Sequence, residues 1–215
     1  MIAAVLFDFD GLLADSEPLS KAAWQRLAAG YDRVLGQDLI DRMFGLRLLE
    51  SATLVQQELD LPLSIEQVMA GRDEEFLASL PGNLTAMPEA AATVLAMRKR
   101  GLRVGLATSG HARYIEIALH ELGLTQAFDA IVTGDTVAHG KPAPDIFLRA
   151  AELLDVAPAA CVVVEDAPHG IAAAKAAGML AVAVPNELTQ DLDFSAADMI
   201  CSSLGEFRAW IEQQR

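Results

Sequence analysis

The 215-residue chain is 53% apolar and 21% charged, enough to bury a core and too apolar for a disordered polymer. Its 16 Lys and Arg against 30 Asp and Glu give a formal charge of −14, and Arg98-Lys99-Arg100 is the only basic cluster, which argues against a general nucleic-acid or anionic-membrane binder. Met1 to Val5 carries no basic leader, Asp8 and Asp10 interrupt the first apolar run, and no uncharged apolar stretch reaches the length of a membrane span, so neither a secretory signal nor an anchor is expected.

The first element is a β-rich run, Ala3 to Phe7, followed at once by Asp8-Phe9-Asp10-Gly11. In extended backbone two carboxylates two residues apart project to the same side, and they cannot enter a core unless something cationic meets them. Such a pair suits a hard cation such as Mg²⁺ beyond the carboxyl end of a strand, and it equally suits solvated loop acids before a helix. Residues 15–80 then offer helical patterns over Pro18–Ala29, Gln37–Met43, Leu48–Leu59 and Ile65–Leu80 and no strand, returning through Pro81-Gly82-Asn83. This predicts a helical insertion after the first strand, dividing the chain into a core of residues 1–14 and 81–215 and an insertion of residues 15–80.

Beyond the insertion, β-rich runs at Arg103–Ala107, Ala130–Val132, Cys161–Val164 and Leu180–Val184 alternate with helical segments at Glu89–Lys99, Ala112–Leu122, Pro144–Leu154 and Pro168–Ala177. Gly101, Gly123 and Gly178 punctuate the helix ends, and the alternation reads as an α/β fold: a parallel sheet with helices on both faces. Cys161 and Cys201 sit in apolar strand-like surroundings away from metal-ligand spacing and read as buried free thiols of a cytoplasmic protein. Three further segments follow strands. Thr108-Ser109-Gly110 offers hydroxyl and N–H donors suited to a phosphate or to helix capping; Gly140-Lys141-Pro142 holds one Lys in a rigid loop; Glu165-Asp166 pairs two acids.

Taken in order, these four segments resemble the haloacid dehalogenase-like hydrolase superfamily along the entire chain. Within it, the helical insertion directly after the first motif resembles the β-phosphoglucomutase and small sugar phosphatase subfamily. Asp8-Phe9-Asp10-Gly11-Leu12-Leu13, Asp15-Ser16-Glu17-Pro18-Leu19 and Gly45-Leu46-Arg47 are similar to the hexose-phosphate (2-deoxyglucose-6-phosphate type) phosphatases. The resemblance implies a Rossmann-like core and a cap domain. It also implies an Mg²⁺-dependent phosphatase acting on a small phosphorylated metabolite through an aspartyl-phosphate. Asp8 would be the nucleophile and Asp10 the general acid and base. Thr108, Ser109 and Lys141 would hold the phosphoryl group, and Asp8, Asp10 through its carbonyl, Glu165 and Asp166 would hold the metal.

Substrate choice would fall to Ser16, Glu17, Ser20, Arg47, Arg72 and His111, although Glu17 and Ser20 equally fit a helix start, His111 fits a surface position and Arg72 reads better as a solvated ion-pair partner. Trp24 and Trp210 lie on apolar helical stripes and read as packing. The alternative is a β-phosphoglucomutase-like phosphomutase. Ser20 stands where the mutase pattern has His, and its cap Arg is displaced to Arg47, so hydrolysis is favoured; a phosphoglycolate or nucleotide monophosphate phosphatase is the other alternative. A monomer is expected, without nucleic-acid or membrane partners.

Overall fold

The structure, a computed structural model, describes residues 1–43, 46 and 48–214. Two compact units result: one built from Met1–Asp15 and Thr85–Arg215, the other from Ser16–Leu84.

The first unit is a parallel sheet of β1 (Ala4–Phe7), β4 (Arg103–Thr108), β5 (Ala130–Thr133), β6 (Cys161–Glu165), β7 (Leu180–Ala183) and β8 (Met199–Ile200), in the order β5-β4-β1-β6-β7-β8. A two-residue antiparallel pair, β2 (Ala14–Asp15) with β3 (Thr85–Ala86), closes the junction to the insertion. Every residue of β1 and β6 is buried, as expected for strands covered on both faces. Leu6 and Val163 face a cluster with Phe147 of α7 (Asp145–Leu154) and Ile171 of α8 (Pro168–Ala176). Phe7 points the other way. It meets Phe207 of α9 (Leu204–Gln213) edge to face, with ring centroids 6.1 Å apart. The remaining helices of this unit are α5 (Ala90–Lys99) and α6 (Ala112–Glu121). The expected parallel sheet and its helical cover are therefore present, and both cysteines are buried and unpaired.

Two features depart from the sequence reading. Asp15, placed at the start of a strandless insertion, pairs instead with Thr85 in the β2–β3 ladder, and β8 was not anticipated. Both strands are two residues long, too short for alternation to register.

The chain runs outward from β1 through β4 to β5, then returns to the other side of β1 with β6 and β7. This reversal is the topological switch point, where a crevice opens beyond the carboxyl ends of the strands. Phe7 is level with Leu106 on one side and Val164 on the other, so one further residue sets Asp8 beside Ala107 and Glu165.

The second unit is four helices, α1 (Glu17–Ala29), α2 (Gln37–Met43), α3 (Leu48–Glu58) and α4 (Ile65–Ser79). They close over Trp24, Leu27, Leu39, Val55 and Val68, which bears out Trp24 as packing. Ser64 and Gln67 form a reciprocal capping box that fixes where α4 begins. No described helix is long and apolar enough to cross a membrane.

Candidate active site

Asp8 is the first residue past β1, where its N–H donates to the Val164 carbonyl at 3.0 Å. Lys141, on the loop before α7, reaches it with a fully buried ammonium: Nζ donates to Asp8 Oδ1 at 2.5 Å, to Glu165 Oε1 at 2.7 Å and to the Ala107 carbonyl at 3.1 Å. Three strands thus share one cation. Glu165 ends β6, and its second oxygen accepts the Ala167 N–H at 3.1 Å. Its carboxylate lies where residue 170 can carry no side chain, since a Cβ on Gly170 would fall 1.7 Å from Glu165 Oε1.

Asp8, Glu165 and Asp166 each present a carboxylate oxygen within 4.8 Å of the others, all buried. Lys141 balances only one of the three potential charges. Burial is the largest influence raising Asp166, reinforced by the charges of Glu165 and Asp8, and its pKa stands at about 9. Burial also raises Asp8, to about 6, against the opposing pull of Lys141. Burial disfavours the Lys141 ammonium, yet the charges of Asp8 and Glu165 and their hydrogen bonds outweigh it and raise its pKa. A carboxyl that keeps its proton at neutral pH, as Asp166 does, marks a place short of positive charge, and an all-oxygen donor set fits a hard divalent cation. These three residues could hold such an ion.

Thr108 is the buried last residue of β4, and its Oγ1 accepts the Gly110 N–H at 3.0 Å. That bond leaves the hydroxyl proton to donate elsewhere. Ser109 is exposed beside it. Asp10 does not join the carboxylate cluster through its side chain; its Oδ1 accepts from the Tyr114 hydroxyl at 2.5 Å.

Two of these partners had no counterpart in the sequence reading. Tyr114, in the first turn of α6, lies 104 residues from Asp10, and nothing local announces their contact. Asn186, past the end of β7, donates through Nδ2 to Asp166 Oδ2 at 2.8 Å and to the Gly11 carbonyl at 3.0 Å. Its Oδ1 is in turn fixed by the N–H groups of Leu188 and Thr189 at 2.8 and 3.2 Å. Its strand-end position was the signal that could have found it.

Of the remaining predicted residues, His111 caps α6, its Nδ1 accepting the Tyr114 N–H at 3.3 Å. Ser16 and Glu17 open α1. Arg72, expected as a solvated ion-pair partner, is half-buried: its guanidinium lies over the Phe76 ring at 4.4 Å and near Trp24 at 5.8 Å, and donates to Ser20 Oγ at 2.6 Å. An aromatic face at helical spacing and a hydroxyl from α1 hold it half-buried, an arrangement that acidic neighbours in sequence concealed. Arg47, with Gly45 of the same motif, falls outside the described residues.

The model of the haloacid dehalogenase-like hydrolase family matches residues 2–178, most of the chain and all four motifs. This chain belongs to that family. Like other haloacid dehalogenase-like hydrolases it is an enzyme, with its four motifs gathered at one end of the sheet. It is 35% identical over 176 residues to the phosphorylated carbohydrates phosphatase of Thermotoga maritima, covering 82% of each chain. It is also 35% identical over 188 residues to the β-phosphoglucomutase of Bacillus subtilis, covering 84% of this chain and 82% of that one. Among solved structures, CbbY from Rhodobacter sphaeroides in complex with phosphate superposes with a TM-score of 0.82 at 29% identity over 96% of both chains.

Proposed function

We propose that this haloacid dehalogenase-like hydrolase is an Mg²⁺-dependent phosphatase that releases inorganic phosphate from a small sugar phosphate through an aspartyl-phosphate on Asp8. The observation that carries the reading is the buried Asp8–Lys141–Glu165 contact beside Asp166: a carboxylate held charged by an ammonium and flanked by further oxygens. Burial alone would leave Asp8 protonated and unreactive, and Lys141 counters this.

An Asp8 oxygen forms a bond to phosphorus while the bond from phosphorus to the sugar oxygen breaks, and Asp10 gives that oxygen a proton. Thr108 through its hydroxyl, Ser109 through its N–H and Lys141 through its ammonium hold the phosphoryl oxygens in line. Water then attacks phosphorus, Asp10 takes its proton, phosphate leaves and Asp8 is restored. Asp8, Glu165, Asp166 and the Asp10 carbonyl would hold the Mg²⁺, which when bound supplies charge neutralisation for the phosphoryl group. The reading for sugar phosphates leans on the relative named for phosphorylated carbohydrates.

The likeness to a β-phosphoglucomutase favours one second reading, transfer back to the sugar. A panel of hexose, pentose and short polyol phosphates, with Mg²⁺ or chelator, separates the two. Stoichiometric inorganic phosphate that disappears with chelator is the expected result; isomerised sugar phosphate without phosphate release would establish the mutase, and no turnover of either kind would sink both.

A further inference from the structure

We infer that Tyr114 is a positioning residue for the acid–base step, fixing the orientation of the Asp10 carboxyl through its hydroxyl. The inference rests on the assignment of Asp10 as general acid and base. The Tyr114 hydroxyl donates to Asp10 Oδ1 at 2.5 Å. The carboxyl O–H bond of Asp10 breaks as the sugar oxygen is protonated, and it re-forms when water gives up a proton on attacking phosphorus; a carboxyl anchored by the phenol meets both oxygens in one orientation.

Three independent contacts hold the tyrosine for this task. Its N–H is fixed by the His111 side chain at 3.3 Å, in the first turn of α6. Its ring stands edge-on to Phe9, the neighbour of Asp10, with centroids 5.9 Å apart at 74°. The ring also occupies the space that a side chain at Gly110 would need, since a Cβ there would fall 2.7 Å from Tyr114 Cδ1. Gly110 in the phosphate loop therefore makes room for the aromatic ring, and a phenol buried to 3% exposure spends its one donor on Asp10. Asp10 and Tyr114 belong to the same unit, so their contact is a property of the sheet unit alone. Chemically, a tethered carboxyl loses fewer productive orientations than a freely rotating one, and proton transfer depends on that alignment.

The test is Tyr114→Phe, which keeps the ring and its contact with Phe9, read as kcat/KM on a series of rising leaving-group pKa: para-nitrophenyl phosphate, phenyl phosphate and a hexose phosphate. Because kcat/KM ends at the first irreversible step, it reports the protonation of the leaving oxygen. The loss should be graded, about 10-fold or more on the hexose phosphate and less than about 3-fold on para-nitrophenyl phosphate, with Mg²⁺ affinity unchanged. Should Tyr114→Phe not fold, Gly110→Ala, whose methyl displaces the ring, decides by the same grading. An equal loss on all three esters, or none, overturns the positioning role. Asp10→Asn run alongside keeps the two questions apart: wild-type kcat/KM on the hexose phosphate in that variant would instead overturn the acid assignment on which the inference rests.

Discussion

Replacing Lys141 by Met removes the ammonium that lies 5.0 Å from the centre of the Phe147 ring, keeps most of the aliphatic stem, and leaves Asp8 and Glu165 facing each other without their shared cation. The Lys141 side chain is 1% exposed and that of Glu165 also 1%, so solvent cannot step in for the ammonium. Breaking a buried pair from one side costs about 3–5 kcal/mol. Proton uptake limits that cost, because each unit by which solution pH lies below a raised carboxyl pKa returns about 1.4 kcal/mol. Asp8, already raised to about 6, rises further once Lys141 is gone. A carboxyl whose folded pKa exceeds its unfolded value favours the native state fully below the unfolded pKa and loses that contribution as pH climbs through the folded one. The destabilisation of Lys141→Met should therefore be near its full size at pH 8 and shrink toward pH 5.

Urea unfolding of chelated protein measures this. Trp210, in the sheet unit, serves as the fluorescent reporter in a Trp24→Phe background, since Trp24 belongs to the helical unit. At pH 8 the expected loss of about 3–5 kcal/mol corresponds to a Tm lower by roughly 6–20 °C. A loss under about 1 kcal/mol at pH 8, or one that does not change between pH 5 and 8, would refute the charge-balance account of this site.

The remaining predictions concern the nucleophile, the metal and pH. Asp8→Asn should fold with a Tm close to wild type and show no steady-state phosphatase activity, because an amide is a poor nucleophile; clear turnover by protein free of wild-type enzyme would remove the covalent assignment. Asn186→Leu should weaken Mg²⁺ binding about 10–100-fold by calorimetry, since it frees Asp166 Oδ2 and the Gly11 carbonyl from their shared donor, and an unchanged affinity would mean that Asp166 is positioned without it. In metal-free wild type, the carboxyls of Asp8 and Asp166, raised to about 6 and about 9, stabilise the fold at low pH and cease to do so as pH rises through those values. Mg²⁺ takes the place of those protons, so the Tm gap between Mg²⁺-loaded and chelated protein should widen from pH 5 to pH 9; a constant gap would count against a metal at these residues.

The sequence alone determined the alternation of strands and helices, because fully buried parallel strands must be written as short apolar runs such as Cys161–Val164. It also determined that Asp8, Thr108, Lys141 and Glu165-Asp166 would gather, since each follows a strand and parallel strands deliver their carboxyl ends to one edge. What it could not determine were contacts that cross long stretches of chain without a periodic signature. Tyr114 looks like any apolar-face residue of α6, and only the packing of that helix against the loop after β1 turns its hydroxyl toward Asp10. Asn186 looks like a turn residue, and its grip on Asp166 exists only because β7 lies next to β6. Arg72 sits in a run of acids that reads as solvated; Phe76, one turn on in α4, lies under its guanidinium, and the packing of α1 against α4 brings Ser20 to it. Periodicity reports which face of an element is buried; which polar atom on that face meets which partner is decided by register between elements, and register is a property of the folded chain.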